Sequence, residues 1–185
     1  MAHYRAEIRQ AVCDALGGET AAAERVFPTR VLPFKKTQTL PVICVYTTKD
    51  EVDPDSLATA PRELTRNLTV TIEGWVTGAD EDTVDDAMDA LALEIETAMA
   101  ADIYLGETAA NSILEATEME VVQEGDRLRG LVWLDYRVVY RHLSPEAPAD
   151  ESLDDFETVG VTHKPGGADM DDDDAVNDEF GVEES

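Results

Sequence analysis

His3, His142 and His163, the serines Ser56, Ser112, Ser144 and Ser152, and a dense population of carboxylates are the side chains that could do chemistry in this chain. No histidine has an acid or cysteine partner at a metal-ligand spacing, so each reads as a surface or terminal residue. The serines lie in no nucleophile-elbow context, and neither a Gly-x-Gly-x-x-Gly nor a Walker-type phosphate loop occurs. Paired carboxylates abound, but among 41 acids chance pairs are expected and carry no signal for acid–base catalysis. Asp169–Asp174 could collect Ca²⁺ or Mg²⁺ through oxygen ligands. Its spacing only loosely approaches an EF-hand loop, and Asp178-Glu179 comes without the required glycine, so a solvated charge run is the preferred reading. Asp80–Asp89 likewise reads as a wet helix face whose first acids complement the dipole. The chain is expected to be non-enzymatic, with no catalytic residues, cofactor or metal.

Trp75 and Trp133 carry more information. Each sits on the polar side of an alternating strand. They read either as a shielded aromatic pair beneath a loop or as an interface anchor, since large aromatics dominate interaction hot spots.

Charge bounds the partners. The 185 residues carry 14 Lys+Arg against 41 Asp+Glu, a net of −27. Residues 1–145 hold 26 acids and 13 bases, and residues 146–185 hold 15 acids and one base, Lys164. Such a surface repels phosphates and anionic membranes. Lysine is scarce throughout the domain (Lys35, Lys36 and Lys49), a pattern expected of adaptation to very high salt, where a Debye length of about 3 Å at 1 M makes self-repulsion cheap. Cys13 and Cys44 sit in apolar stretches and are expected to be buried thiols. The first residues contain no apolar signal region and no run approaches a membrane span, so a protein made and kept in the cytoplasm, or assembled there into something larger, is expected.

The positioning elements follow from periodicity. Tyr4, Ile8, Ala11, Val12, Ala15 and Leu16 form a helical stripe that ends at Gly17-Gly18. Val26–Phe34 reads as an interrupted strand, confined by Pro28 and Pro33 to an edge or bulge. Pro41–Thr47 is a continuous apolar run, expected to be buried on both faces. In Leu64–Val76 the even positions face one way and Thr65, Asn67, Thr69, Thr71, Glu73 and Trp75 the other, so one face is covered and one wet. Arg66, on the covered side, must lie near the strand's open end or pair with an acid. Asp80 caps a second helix striped by Val84, Met88, Leu91, Ile95, Ala98 and Met99. Ile113–Glu124 and Arg127–Arg141 form a hairpin around Glu124-Gly125-Asp126. The fold class is α+β: a mostly antiparallel sheet of four to five strands with two helices on one face, order αβββαββ. The domain is placed at 1–143 and an acidic, extended arm at 144–185. The arm's isolated hydrophobes, Leu153, Phe156, Val159 and Phe180 foremost, suit a strap on a neighbour.

The order of these elements resembles the tail terminator family of long-tailed, siphovirus-type viruses, which includes the phage lambda terminator. The segments that carry the resemblance are Pro41-Val-Ile-Cys-Val-Tyr46, the following acidic loop, Leu68-Thr-Val-Thr-Ile-Glu73, the helix Asp82–Met99 and the aromatic-rich Asp135-Tyr-Arg-Val-Val-Tyr140. It covers residues 3–141; the arm and the charge depart from it. With the acid excess, it implies a haloarchaeal tailed virus as source. It further implies a virion protein at the head–tail junction that forms a homo-hexameric ring, binds the major tail tube protein, ends elongation and meets the head–tail connector proteins. Genome DNA would pass the lumen without specific binding, which an acidic wall favours. Tail-completion and neck proteins share the plan and remain alternatives, as does a cytoplasmic acidic binding module.

Overall fold

In the computed structural model the chain divides into two compact units, residues 1–146 and 147–185. The described residues are 3–29, 39–56, 62–124, 127–144, 159–162 and 177–180.

The first unit runs α1 (Tyr4–Leu16), β1 (Val26–Pro28), β2 (Val42–Val52), β3 (Glu63–Gly78), α2 (Glu81–Ala101), β4 (Asn111–Glu124) and β5 (Arg127–Leu143). Its sheet has the order β1-β2-β3-β5-β4. The expected α+β class and element order are what this unit has. All its pairings are antiparallel except β1 with β2, which are parallel, so the sheet is mixed and the strands are not antiparallel neighbours throughout. The reason lies in the connection: residues 29–41 are long enough for a crossover, where a two-residue turn would have forced a hairpin.

Both helices are built by local chemistry. His3 caps α1, its ring Nδ1 accepting from the Arg5 backbone N–H at 3.2 Å. Gly17 leaves the helix extended and Gly18 takes the left-handed conformation, φ 81°, that glycine adopts without strain. Asp80 caps α2 in a capping box with Thr83, which holds the Asp80 carboxyl below its usual range.

The helices cover one face of the sheet. Ile8, Val12 and Leu16 of α1 and Val84, Met88, Leu91 and Ile95 of α2 are buried against Leu68, Val70 and Ile72 of β3 and Val132, Leu134 and Val138 of β5. α2 rides close to the sheet because two glycines lie beneath it. A Cβ at Gly74 would stand 2.8 Å from Leu91 Cδ2, and one at Gly130 2.5 Å from Met88 Cγ. Val42, Ile43, Cys44 and Val45 are all fully buried, so the first part of β2 is covered on both faces, as its sequence predicts; from Tyr46 onward the strand is partly or fully exposed. Cys13 and Cys44 are buried free thiols, and burial pushes the Cys13 thiol up to about 11.

In the second unit β6 (Val159–Thr162) and β7 (Asn177–Phe180) pair antiparallel. No helix among the described residues is long and apolar enough to cross a membrane.

Candidate assembly interface

Two β-bulges decide what the sheet presents. In β2 the register slips between Thr47 and Lys49. Upstream, odd-numbered side chains point toward the helices; downstream, even-numbered ones do. The slip brings Asp50 opposite Leu68 on the covered face, where its side chain is only 5% exposed. Arg66 donates from Nε to Asp50 Oδ1 at 3.0 Å and Tyr140 donates its hydroxyl to Oδ2 at 3.0 Å. Arg66 thus pairs with an acid, as its place on the covered side requires. Burial, then the bond to Asp50, pushes the Tyr140 hydroxyl up to about 12. Tyr4 and His142 stack on the Tyr140 ring, with centroids 5.8 and 5.9 Å away. Burial lowers the His142 pKa, and the Arg66 charge adds to the effect. This knot closes one end of the sheet.

The second slip, between Leu114 and Ala116 in β4, turns Thr117, Met119 and Val121 to the helix side and Glu118, Glu120 and Val122 to the other. Helices pack about 8–10 Å apart and strands about 4.8 Å, so two helices roof about four strands. α1 lies over β1 and β2, and α2 over β3 and β5 and, more lightly, over β4, which is roofed only in part. The fifth strand, β4, is left at the rim. Ile113, Leu114, Met119, Val121 and Val122 are between 37% and 42% exposed, with apolar side chains on both faces of a 14-residue strand whose outer edge pairs with no described strand. A long apolar edge of this kind invites another chain to bind. The sequence reading treats this strand only as half of a hairpin. The available signal was Met119, Val121 and Val122 interleaved with Glu118, Glu120 and Gln123, a run too apolar for a wet strand and too acidic for a buried one.

On the face away from the helices the structure brings Trp75 and Trp133 together. Both indole N–H groups donate to one carboxylate, that of Glu73: Trp75 Nε1 to Oε1, and Trp133 Nε1 to Oε2 at 3.2 Å. Both rings are half-buried beside buried Val42, Cys44 and Leu131. The register explains the cluster, since Trp75 stands opposite Val42 and Leu131, and Glu73 opposite Cys44 and Trp133. Glu73 is the member that sequence reasoning missed; its spacing of two from Trp75 on an alternating strand was the clue. Below it Thr71 donates to Asp135 at 2.6 Å, and an ion pair at 2.6 Å joins Arg137 to Glu115.

Of the four arm residues, Val159 and Phe180 stand opposite one another in the β6–β7 register. Leu153 and Phe156 lie outside the described residues, as do His163 and Asp169–Asp174. Among the described residues no three His, Cys, Asp or Glu side chains converge as metal ligands.

No protein-family profile and no curated protein matches the chain. Among solved structures it is similar to a chain in the virion of a native gene transfer agent particle, at 12% identity and a TM-score of 0.35. The match spans 75% of this chain and 99% of that one. A likeness so distant carries no argument about role.

Proposed function

We propose that this chain is a structural, non-enzymatic virion protein that joins copies of itself into a closed ring at the end of a tail tube. The observation that carries the proposal is the β4 rim: a well-packed domain leaves one long strand with exposed apolar side chains on both faces, interleaved with acids. A subunit built this way is completed by a neighbour. Identical subunits meeting through unlike surfaces close into a ring when the rotation allows it. The family resemblance of the element order supplies the place: terminating the tail tube, binding its last ring and facing the head connector. A tail-completion or neck station is the nearest alternative, and a haloarchaeal virus is the source the composition favours. In this reading the Trp75–Glu73–Trp133 cluster and the arm are further contact surfaces, and the acidic lumen lets DNA slide without sticking. Native mass spectrometry in volatile high salt, with cryo-electron microscopy of tail ends, tests the proposal. A ring of six located at the tail end is expected. A monomer that is absent from virions would sink it.

A further inference from the structure

A groove of about 1090 Å³ runs between α1 and α2 on the outer side of the helical layer, distinct from the β4 rim. Its walls are small: Ala6, Ala11 and Ala15 on α1, and Ala98 and Ala101 on α2. Ala11 and Ala15 stand four apart and Ala98 and Ala101 three apart, so each helix turns a short, shallow strip toward the gap. Leu93, 66% exposed, stands at its margin, and Leu105 is buried in its floor. Five acids rim it: Glu7, Asp14, Glu19, Glu94 and Asp102. No Lys, Arg or His is among the lining residues.

The acids are not neutralised by one another's neighbours. Glu94 accepts the Ala21 backbone N–H at 2.7 Å, Asp102 accepts from Tyr104 and Gly106 at 3.1 and 2.7 Å, and Asp14 accepts from Gln10 at 2.9 Å. All of these are uncharged donors, so the rim keeps its negative charge. The nearest arginines of α1 are turned elsewhere: Arg5 toward Asp50 and Arg9 to Thr47.

We propose that this groove is the docking site for a basic, amphipathic helix of a partner protein. The occupant's apolar stripe, at i, i+3, i+4 and i+7, would lie on the alanine walls and Leu93, and Lys or Arg beside that stripe would meet the rim. The alanines let a third helix approach closely, as small residues do wherever helix backbones pack near one another. No strand edge lies in the groove for an extended peptide to pair with. Charge selects among occupants. An acidic segment is repelled, which removes residues 146–185 of a second copy, and so are nucleic acid and anionic lipid. At about 0.15 M salt, where the Debye length is about 8 Å, the net negative charge of the domain also steers a basic helix toward the groove, and molar salt leaves only the short-range contacts. This inference stands independently of the ring.

Two fluorescein-labelled 14-residue Leu/Lys peptides of one composition test it against the full-length chain by anisotropy: one with amphipathic helical spacing, one scrambled. The amphipathic peptide is expected to bind with a dissociation constant of tens of micromolar or tighter at about 0.15 M KCl and to lose less than about tenfold at 1 M, because the apolar contact survives screening. The scrambled peptide should lose its binding at 1 M. Ala101→Arg, which puts bulk and positive charge into the groove from an exposed position, and Leu93→Lys, also exposed, should each weaken the amphipathic peptide at least tenfold at 1 M while circular dichroism stays unchanged. Equal binding of both peptides with the same salt slope would overturn the proposal. So would affinity untouched by either substitution, or a change of oligomeric state in Leu93→Lys without peptide binding, which would assign the groove to a second copy.

Discussion

Replacing Met119 and Val121 together by lysine should take the ring apart while leaving the subunit folded. Fully burying a Val, Leu, Ile or Met side chain is worth about 1.5–3 kcal/mol. The five apolar side chains of β4 are already close to three-fifths covered, so a neighbour gains from the remaining two-fifths, about 0.6–1.2 kcal/mol each. All five then contribute about 3–6 kcal/mol per contact, which does not by itself exceed an association cost of about 4–15 kcal/mol. The strand's unpaired backbone groups and the closure of the ring must supply the rest. Losing two of the five removes about 1.2–2.4 kcal/mol, and each 1.4 kcal/mol is tenfold, so each contact weakens by about ten- to fiftyfold before the burial of lysine is counted. The three-fifths of each side chain already covered is worth about 0.9–1.8 kcal/mol on the same scale, so folding stability should fall by at most about 2–4 kcal/mol in all, less whatever the lysine stems keep covered. Sedimentation velocity across a concentration series gives the assembly state, and urea melts give the fold. A double variant that sediments like the parent would refute the assignment of β4 as the contact. A variant that unfolds would refute the claim that the rim is spare surface.

Three further outcomes follow from the same structure. The excess of 26 acids over 13 bases in residues 1–145 should make the melting temperature climb steeply along a KCl series toward molar salt, and a flat series would mean ordinary acidity. Tyr136 and Tyr140 keep their protons to about pH 12 when folded, whereas an unfolded tyrosine loses its proton near 10. Stability is therefore whole below about pH 10 and falls as the pH rises toward 12, with Cys13 adding a loss of the same sign between about 9 and 11. Tyr140→Phe should flatten part of that slope and, by leaving Asp50 one donor short, cost about 1–2 kcal/mol at neutral pH; an unchanged urea midpoint would contradict it. Neither Cys13 nor Cys44 should react with a maleimide at pH 8 until the chain is unfolded, and rapid labelling of the native protein would place a thiol at the surface.

Where side-chain period alone determines structure, the sequence was legible. Leu64–Val76 of β3 alternates much as read, and β2 opens on an apolar run because both faces of Val42–Val45 are buried. The α2 cap at Asp80 was visible because capping is local chemistry. What escaped were relations between elements. Both bulges reverse parity partway along a strand, so Asp50, Met119 and Val121 take faces that an unbroken alternation would deny them. Gly130 reads as a weak strand residue until Met88 is found above it. The Glu73 clamp needs the β3–β5 register, which is set by long-range pairing. The bareness of β4 follows from helix width against strand spacing, a quantity no single segment contains.

The two rims of the sheet are unequal, and this fixes how many partners strand pairing can give. One edge is β1, three residues ending in Pro28, which lacks the N–H that a ladder needs; the other is β4, with fourteen residues. Among the described residues, this five-stranded sheet therefore offers one long edge for pairing. Two copies joined β4 to β4 would exhaust that edge in a dead-end dimer, with Glu118 and Glu120 of both copies crowded along one seam. A ring needs valence two. In a closed ring built on β4, that strand is then received by a surface of the next subunit other than a second long edge of the same sheet. Among the described strands of this sheet, the same asymmetry leaves no pair of long edges from which an open fibre of stacked strands would grow.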